Sequence, residues 1–375
     1  MSQEEYAMLC VITEPKIINE YRYTYADILE KQCKSKAVKY IEVPSLSAAY
    51  NMLAGSGGSV LLYAATEKWA LGVINENLKY GLNLIVYGVV QLQYGSRFSS
   101  VCTDISSQIS ELSAYLNYVG VKNISFFGVR PYIDSEITAA EAAAYYIPTV
   151  NHINADETLS KSYMYFSKKS AYPDAVICPN DLIAIYLINH LRRDNSRLLK
   201  KILIVSLQEK ALSAYYSKNI TTFKNQDELT SETIAGLCKK RNYKNTGTHL
   251  SFMPQLLIKE HSDYRSFGKT QYSAILNVLR ITHPTFVTAE PLPVSDDEYS
   301  NLLKLNFLLQ NASEYELSII SAVARLKSYE EMAQYINSNA DSVKYYTSKL
   351  YKRAGFGSRR SLKAILSEYL IPPIK

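Results

Sequence analysis

The densest group of residues able to do chemistry lies near the C-terminus. Ser342, Lys344, Tyr345, Ser348, Lys349 and Lys352 recur at the spacing of a helix surface, and Arg359 follows shortly after. Ammonium groups interleaved with hydroxyls suit a polyanion: the cations neutralise phosphates while the hydroxyls offer hydrogen bonds. Residues 312–375 carry ten Lys or Arg against six Asp or Glu, most of the surplus behind the chain's formal charge of +6. The remaining reactive residues form no comparable group. The five histidines (152, 190, 249, 261 and 283) never fall at metal-ligand spacing and follow no nucleophile motif. The five cysteines (10, 33, 102, 178 and 238) are scattered, mostly in apolar runs, with no C-x-x-C pair. Gly55-Ser-Gly-Gly58 precedes a strand pattern instead of joining a strand to a helix, so it reads as a turn and not as a phosphate cradle. Neither catalytic residues nor a metal or other cofactor is expected.

Four helices must position the cationic face, and local start and stop signals mark each of them. Ser313 with Glu316, and Ser328 with Glu331, have the spacing of capping boxes. The first helix is expected to bury Leu317, Ile320 and Val323 or Ala324, the second Met332, Ala333 and Ile336. Asn339 caps a third, with Asp341 near the positive end of the helix dipole and Val343, Tyr346 and Leu350 inside. Gly355 supplies a left-handed terminus, Ser358 caps a fourth helix burying Leu362, Ile365, Leu366 and Tyr369, and Pro372 and Pro373 stop it.

Residues 312–370 resemble a LuxR-type helix-turn-helix domain. The matching residues are Ser313-x-x-Glu316, Ser328-Tyr-Glu-Glu-Met-Ala, Ser342-Val343-Lys344 and Leu350-Tyr-Lys-Arg-Ala-Gly355-Phe-Gly-Ser358-Arg359. Tyr315 stands where that family usually has Arg, Arg325-Leu326 where it usually has a Gly, and Tyr346 where His is common. The resemblance implies that Lys344, Tyr345 and Ser348 meet bases in the major groove, while Lys349, Lys352 and Arg359 meet phosphates.

Upstream, about 260 residues alternate short apolar runs with longer amphipathic stretches, the pattern of a parallel α/β sheet. Strands are expected at 7–12, 60–64, 84–88, 124–127, 175–178 and 202–206. Helices are expected at 105–118 and at 181–192, the latter with one buried stripe of Leu182, Ile185, Tyr186 and Ile188 or Asn189. Three prolines between His283 and Asp297 mark an interdomain linker, and leucines at 302, 305 and 309 line one face of a connecting helix. That helix has two possible seats, within its own chain or against a second subunit.

Residues 6–262 resemble the ligand-binding region of LacI/GalR-type regulators, a fold shared with periplasmic sugar-binding proteins. The resemblance rests on Tyr172-Pro-Asp-Ala-Val-Ile-Cys-Pro-Asn180-Asp181-Leu-Ile-Ala, then Ile202-Leu-Ile-Val-Ser-Leu-Gln-Glu209, Ile220-Thr-Thr-Phe-Lys-Asn-Gln226 and Pro254-Gln-Leu-Leu-Ile-Lys-Glu260, in family order. It implies an α/β class, with two parallel-sheet lobes formed by 1–128 with 224–247 and by 129–223 with 248–262, and a ligand at the C-terminal ends of the strands. Tyr21 would stack on that ligand, and Asn180, Asp181 and Gln208 would bind it; Asn180 and Asp181 have an equally good alternative as helix caps. The family's sugar-binding arginine has no counterpart in Ile133-Asp-Ser-Glu-Ile-Thr-Ala-Ala.

The expected organisation is therefore a sensor over 1–282, a linker and connecting helix over 283–311, and an all-α four-helix reader over 312–375. At 375 residues and 47% hydrophobic, the chain has the length for several compact units and the composition of a globular protein. The acidic N-terminus lacks an export signal and no stretch reaches membrane-span length, so a cytoplasmic location is expected. Double-stranded DNA, an unidentified small-molecule effector and a second copy of the chain are the expected partners. Two other classes remain open: a solute-binding module whose helical domain contacts only protein, and an α/β enzyme.

Overall fold

The computed structural model describes residues 7–54, 58–88, 98–156, 158–168, 172–216, 220–239, 247–258, 297–325 and 328–369. The first strands and helices are β1 (Ala7–Thr13), α1 (Ile18–Thr24), α2 (Ala26–Ser35), β2 (Val38–Glu42), α3 (Leu46–Leu53), β3 (Gly58–Tyr63), α4 (Glu67–Glu76), β4 (Leu84–Tyr87), β5 (Ser99–Thr103) and α5 (Ile105–Val119). Next come β6 (Ile124–Val129), α6 (Asp134–Tyr146), β7 (Val150–Ala155), α7 (Leu159–Ser167), β8 (Ala175–Cys178), α8 (Asp181–Asp194), α9 (Ser196–Leu199), β9 (Leu203–Ser206), β10 (Thr221–Lys224), α10 (Asp227–Lys239), β11 (His249–Phe252) and β12 (Gln255–Leu257). Five helices follow: α11 (Asp297–Gln310), α12 (Glu314–Arg325), α13 (Tyr329–Tyr335), α14 (Ala340–Arg353) and α15 (Arg359–Tyr369). The strands form two six-stranded sheets, ordered β11-β5-β4-β3-β1-β2 and β12-β10-β9-β8-β6-β7.

Alternation along the strands covers both faces of the first sheet, as parallel sheets require. Leu9, Val11 and Leu61 join one apolar cluster with α2 and α10, whereas Cys10, Ile12, Val60 and Leu62 join another with α3 and Ala70. Each such aliphatic side chain contributes about 1.5–3 kcal/mol by leaving water. Gly58, the last residue of the expected glycine turn, opens β3, and residues 55–57 lie outside the described residues. A Cβ at Gly58 would lie 2.2 Å from the Met8 carbonyl oxygen, so the β1–β3 pairing requires glycine there.

All six expected strands exist, with ends shifted by up to two residues. The others escaped sequence reasoning for a physical reason. β2, β7, β11 and β12 are the four sheet edges, where fewer neighbours call for apolar side chains. The expected lobe limits also need correction. β6 belongs to the second sheet, so a limit at 128/129 cuts a strand, and β11 pairs in parallel with β5 of the first sheet, which moves 249–252 out of the second lobe. The single stripe expected on α8 is wrong as well: every residue from Asp181 to Asn189 is buried.

The chain divides into two compact units, one comprising described residues of 1–157 and 224–256, the other those of 158–223, 257–258 and 295–375. Within the second, α11 packs on α8, on a 3-10 turn at Ala211–Tyr215 and on α15. This is the intrachain seat considered for the leucine helix: Leu302, Leu305 and Leu309 are buried, and so is Leu308. The proline-rich stretch at 283–296 lies outside the described residues. Among the described residues, no helix is long and apolar enough to cross a membrane.

Candidate nucleic-acid interface and effector site

The C-terminal helices begin where local chemistry dictates. Ser313 Oγ accepts from the Glu316 N–H at 3.2 Å while the Glu316 carboxylate accepts from the Ser313 N–H at 3.0 Å. Ser328 and Glu331 form the same reciprocal pair, with both bonds at 3.1 Å. Asn339 Oδ1 accepts from the Ser342 N–H at 2.7 Å, and Ser358 Oγ from the Ser361 N–H at 3.2 Å. Gly355 takes φ +73° after α14, and the Phe356 N–H closes the turn on the Tyr351 carbonyl at 2.8 Å.

Each of the four inner faces differs from expectation at one residue. On α14 the buried residues are Val343, Thr347 and Leu350, whereas Tyr346 is half-buried on the flank. Its ring meets that of Tyr315 edge-on, with centroids 5.1 Å apart, and the Tyr315 hydroxyl bonds Ser338 Oγ at 2.8 Å. Two of the three departures noted in the sequence thus contact each other. On α12, Leu317 is half-buried because Glu316 turns inward, where its Oε1 accepts from Arg353 Nη1 of α14 at 3.1 Å. Ile336 and Ile365 are likewise half-buried, while Met332, Ala333, Leu362, Leu366 and Tyr369 are buried.

The outer surface of α14 exposes Lys344, Tyr345, Lys349 and Lys352, with Tyr345 at 64% and Ser342 and Ser348 half-buried. Lys349 Nζ lies 5.9 Å from the centre of the Tyr346 ring. Arg359 is less open than expected: its guanidinium sits 4.3 Å over the Tyr329 ring and its Nη2 lies 3.4 Å from Met332 Sδ. Arg360, which sequence reasoning passed over, is the exposed member of that basic pair.

Asn180, Asp181 and Gln208 meet at the C-terminal ends of β8 and β9, where the Asp181 N–H donates to the Gln208 carbonyl at 3.0 Å. Asn180 Oδ1 caps α8 through the Ile183 N–H at 3.1 Å, and its Nδ2 donates to the Tyr299 hydroxyl of α11 at 3.3 Å. The Asp181 carboxylate is fully buried and accepts from Thr222 Oγ1 at 2.8 Å and the Lys210 N–H at 3.1 Å. Burial raises its pKa, opposed by hydrogen bonds from Ser213, Ser206, Lys210 and Thr222. The capping alternative therefore describes Asn180, and Asp181 cross-braces the strand ends; Gln208 is half-buried. Tyr21 is not an open stacking face. It is 1% exposed in the core of the first unit, with its ring centroid 4.8 Å from that of Tyr63 and its hydroxyl 2.5 Å from that of Tyr40.

An arginine does follow the strand at 124–129, three residues before Ile133. Arg130 is buried at the end of β6, donating from Nη2 to Glu136 Oε1 at 2.5 Å and from Nη1 to Glu20 Oε1 at 2.6 Å. Its position directly after the apolar run was the available signal. Two carboxylates already neutralise it, so it differs from an arginine held ready for a neutral sugar.

No family model matches the chain, and no curated protein matches it. Solved structures do. A protein from Actinobacillus succinogenes aligns with TM-score 0.57 at 13% identity, covering 69% of this chain and 100% of its own. The Escherichia coli transcriptional repressor ascG aligns with TM-score 0.55 at 12% identity, covering 68% and 98%. The lac repressor dimer bound to operator and the anti-inducer ONPF aligns with TM-score 0.57 at 12% identity, covering 70% and 96%. The α/β part of this chain shares the fold of these structures, two of which are transcriptional repressors by name.

Proposed function

We propose that the chain is a ligand-responsive, DNA-binding transcription regulator. The observation that carries this reading is the two-sided character of α14: Val343, Thr347 and Leu350 anchor it while Lys344, Tyr345, Lys349 and Lys352 face water. In this reading, residues 312–375 form a LuxR-type helix-turn-helix with α13 as scaffold and α14 in the major groove. Lys344, Tyr345 and Ser348 read base edges. Lys349, Lys352 and the basic pair Arg359 and Arg360 hold phosphates, and Ser342 hydrogen-bonds the backbone near the helix N-terminus.

Residues 1–282 form the sensor, and 283–311 connect it to the reader. The effector is a small molecule bound at strand ends, where Gln208 contacts it and Asn180 and Asp181 shape the site without direct contact. The fold likeness to LacI-family regulators supports the sensor, and the occurrence of one of them as a dimer on operator supports a homodimer reading paired half-sites about 34 Å apart. Such a protein acts in the cytoplasm. Binding to random and genomic duplexes at increasing salt tests the proposal: affinity falls steeply with ionic strength if α14 engages phosphates. A protein that binds no duplex even at low salt, or turns over a substrate, is not this regulator.

A further inference from the structure

Helix α11 touches the candidate effector site on one side and the C-terminal helices on the other. Tyr299 and Asn306, about two turns apart, share a face of it. The Tyr299 hydroxyl accepts from Asn180 Nδ2 at 3.3 Å, at the end of β8, and Asn306 Oδ1 accepts from the Leu212 N–H at 3.0 Å. Leu212 follows Gln208 closely in the chain, and the segment between them is pinned at Lys210, whose N–H donates to Asp181. From the same helix, Glu298 accepts from the Tyr369 hydroxyl at the end of α15 at 2.8 Å. Lys304 Nζ lies 5.8 Å from the centre of the Phe356 ring, just past the end of α14.

The rest of this seam is aliphatic: Leu302, Leu303, Leu305, Leu308 and Leu309 are buried. Apolar contacts are non-directional and tolerate small slides. Asn306, fully buried on the same helix, is costly to keep there unless bonded, so the hydrogen bonds decide where α11 stops along its axis.

We infer that α11 is the relay by which occupancy of the strand ends at β8 and β9 alters the placement of α14 and α15. The inference rests on the proposed function and names the regulation of that site. A ligand held by Gln208 pulls on the segment 208–212, and so on two points of one rigid helix, Asn306 through Leu212 and Tyr299 through Asn180. Tyr369 and Phe356 feel the shift because their contacts sit on the same rod.

Coupling of this kind is reciprocal, which supplies the test. Hydrogen exchange read by mass spectrometry, on the full chain without ligand or DNA, compares the wild type with Tyr299→Phe and, separately, with Tyr369→Phe. Each variant removes one hydroxyl and keeps the ring. Tyr299→Phe is expected to speed exchange at 356–369 about threefold or more, and Tyr369→Phe to do the same at 180–183 and 208–213. Strands β1 and β3 of the other unit keep wild-type rates in both. An effect that stops at α11 in either variant, or one that spreads equally to β1 and β3, overturns the relay; if one variant does not fold, the other decides alone. No duplex is present, so a chain that passes this test and yet binds no DNA keeps the relay and loses the DNA-binding role.

Discussion

Replacing Lys344 with alanine tests its proposed contact with DNA at a position where the fold should not suffer. The side chain is exposed on α14, the neighbouring Val343 supplies the core contact, and alanine is at least as good a helix former as lysine. Stability should therefore change by less than about 0.5 kcal/mol. If Lys344 contacts a base edge, its loss costs about 1–3 kcal/mol of specific binding. That corresponds to roughly 5- to 150-fold in affinity. Lys349→Ala and Lys352→Ala should behave differently, weakening binding to all sequences alike and each reducing the slope of log affinity against log salt by about 0.9. The assay is fluorescence anisotropy on a duplex selected from genomic fragments and on a scrambled control, between about 50 and 200 mM salt. Full retention of affinity for the selected duplex by Lys344→Ala refutes the base-reading role. A Lys344 effect equal on both duplexes makes it a phosphate contact instead.

Three further outcomes follow from the packing. Burial alone would raise the Glu298 pKa, but hydrogen bonds from His190 and Tyr369 and the charges of His190 and Arg193 bring it below 4.5. Its stabilisation is thus present above the unfolded value and lost as pH falls through the folded one, so Glu298→Gln should cost about 1–2 kcal/mol at neutral pH, with the gap closing below that range in urea titrations. Gly58→Ala forces its Cβ against the Met8 carbonyl and Leu53, 2.2 and 2.6 Å away, and should cost at least about 2 kcal/mol in the same assay, since a strand pairing fixes both backbones. A double-mutant cycle between Tyr315→Ala and Tyr346→Ala should return a coupling of about 0.5–1.5 kcal/mol, and additive effects would show that the edge-on contact contributes nothing.

Sequence alone revealed most where the physics is local. Capping at Ser328 and Asn339 involves residues three apart, so the starts of the C-terminal helices could be read directly. The six missing strands are mostly edges, and their short polar-apolar mixture differs little from loop. Site residues fared worse, because their roles depend on partners distant in the chain. Arg130 gains its meaning from Glu20, 110 positions away, and Asn180 from Tyr299, 119 positions away. Tyr21 illustrates the opposite error: the family resemblance implied a stacking platform, but three further tyrosine rings, Tyr25, Tyr63 and Tyr87, close around that region and make it core.

Helix α11 bears on how such a protein can be cut and recombined. Asn306 is fully buried, and its Oδ1 accepts from the Leu212 N–H at 3.0 Å; Tyr299 bonds Asn180, and Glu298 bonds His190 at 3.1 Å. A chimera joined at 311/312 to a foreign C-terminal helical module keeps these three fastenings but leaves Glu298 without the Tyr369 hydroxyl that donates to it at 2.8 Å. A junction ahead of residue 297 carries α11 away and leaves the Leu212 amide and the flank of α8 bare. The helix is common property of both neighbours, so grafts that transplant α8, the 211–215 turn, α11 and α15 as one block should outperform any splice made between them.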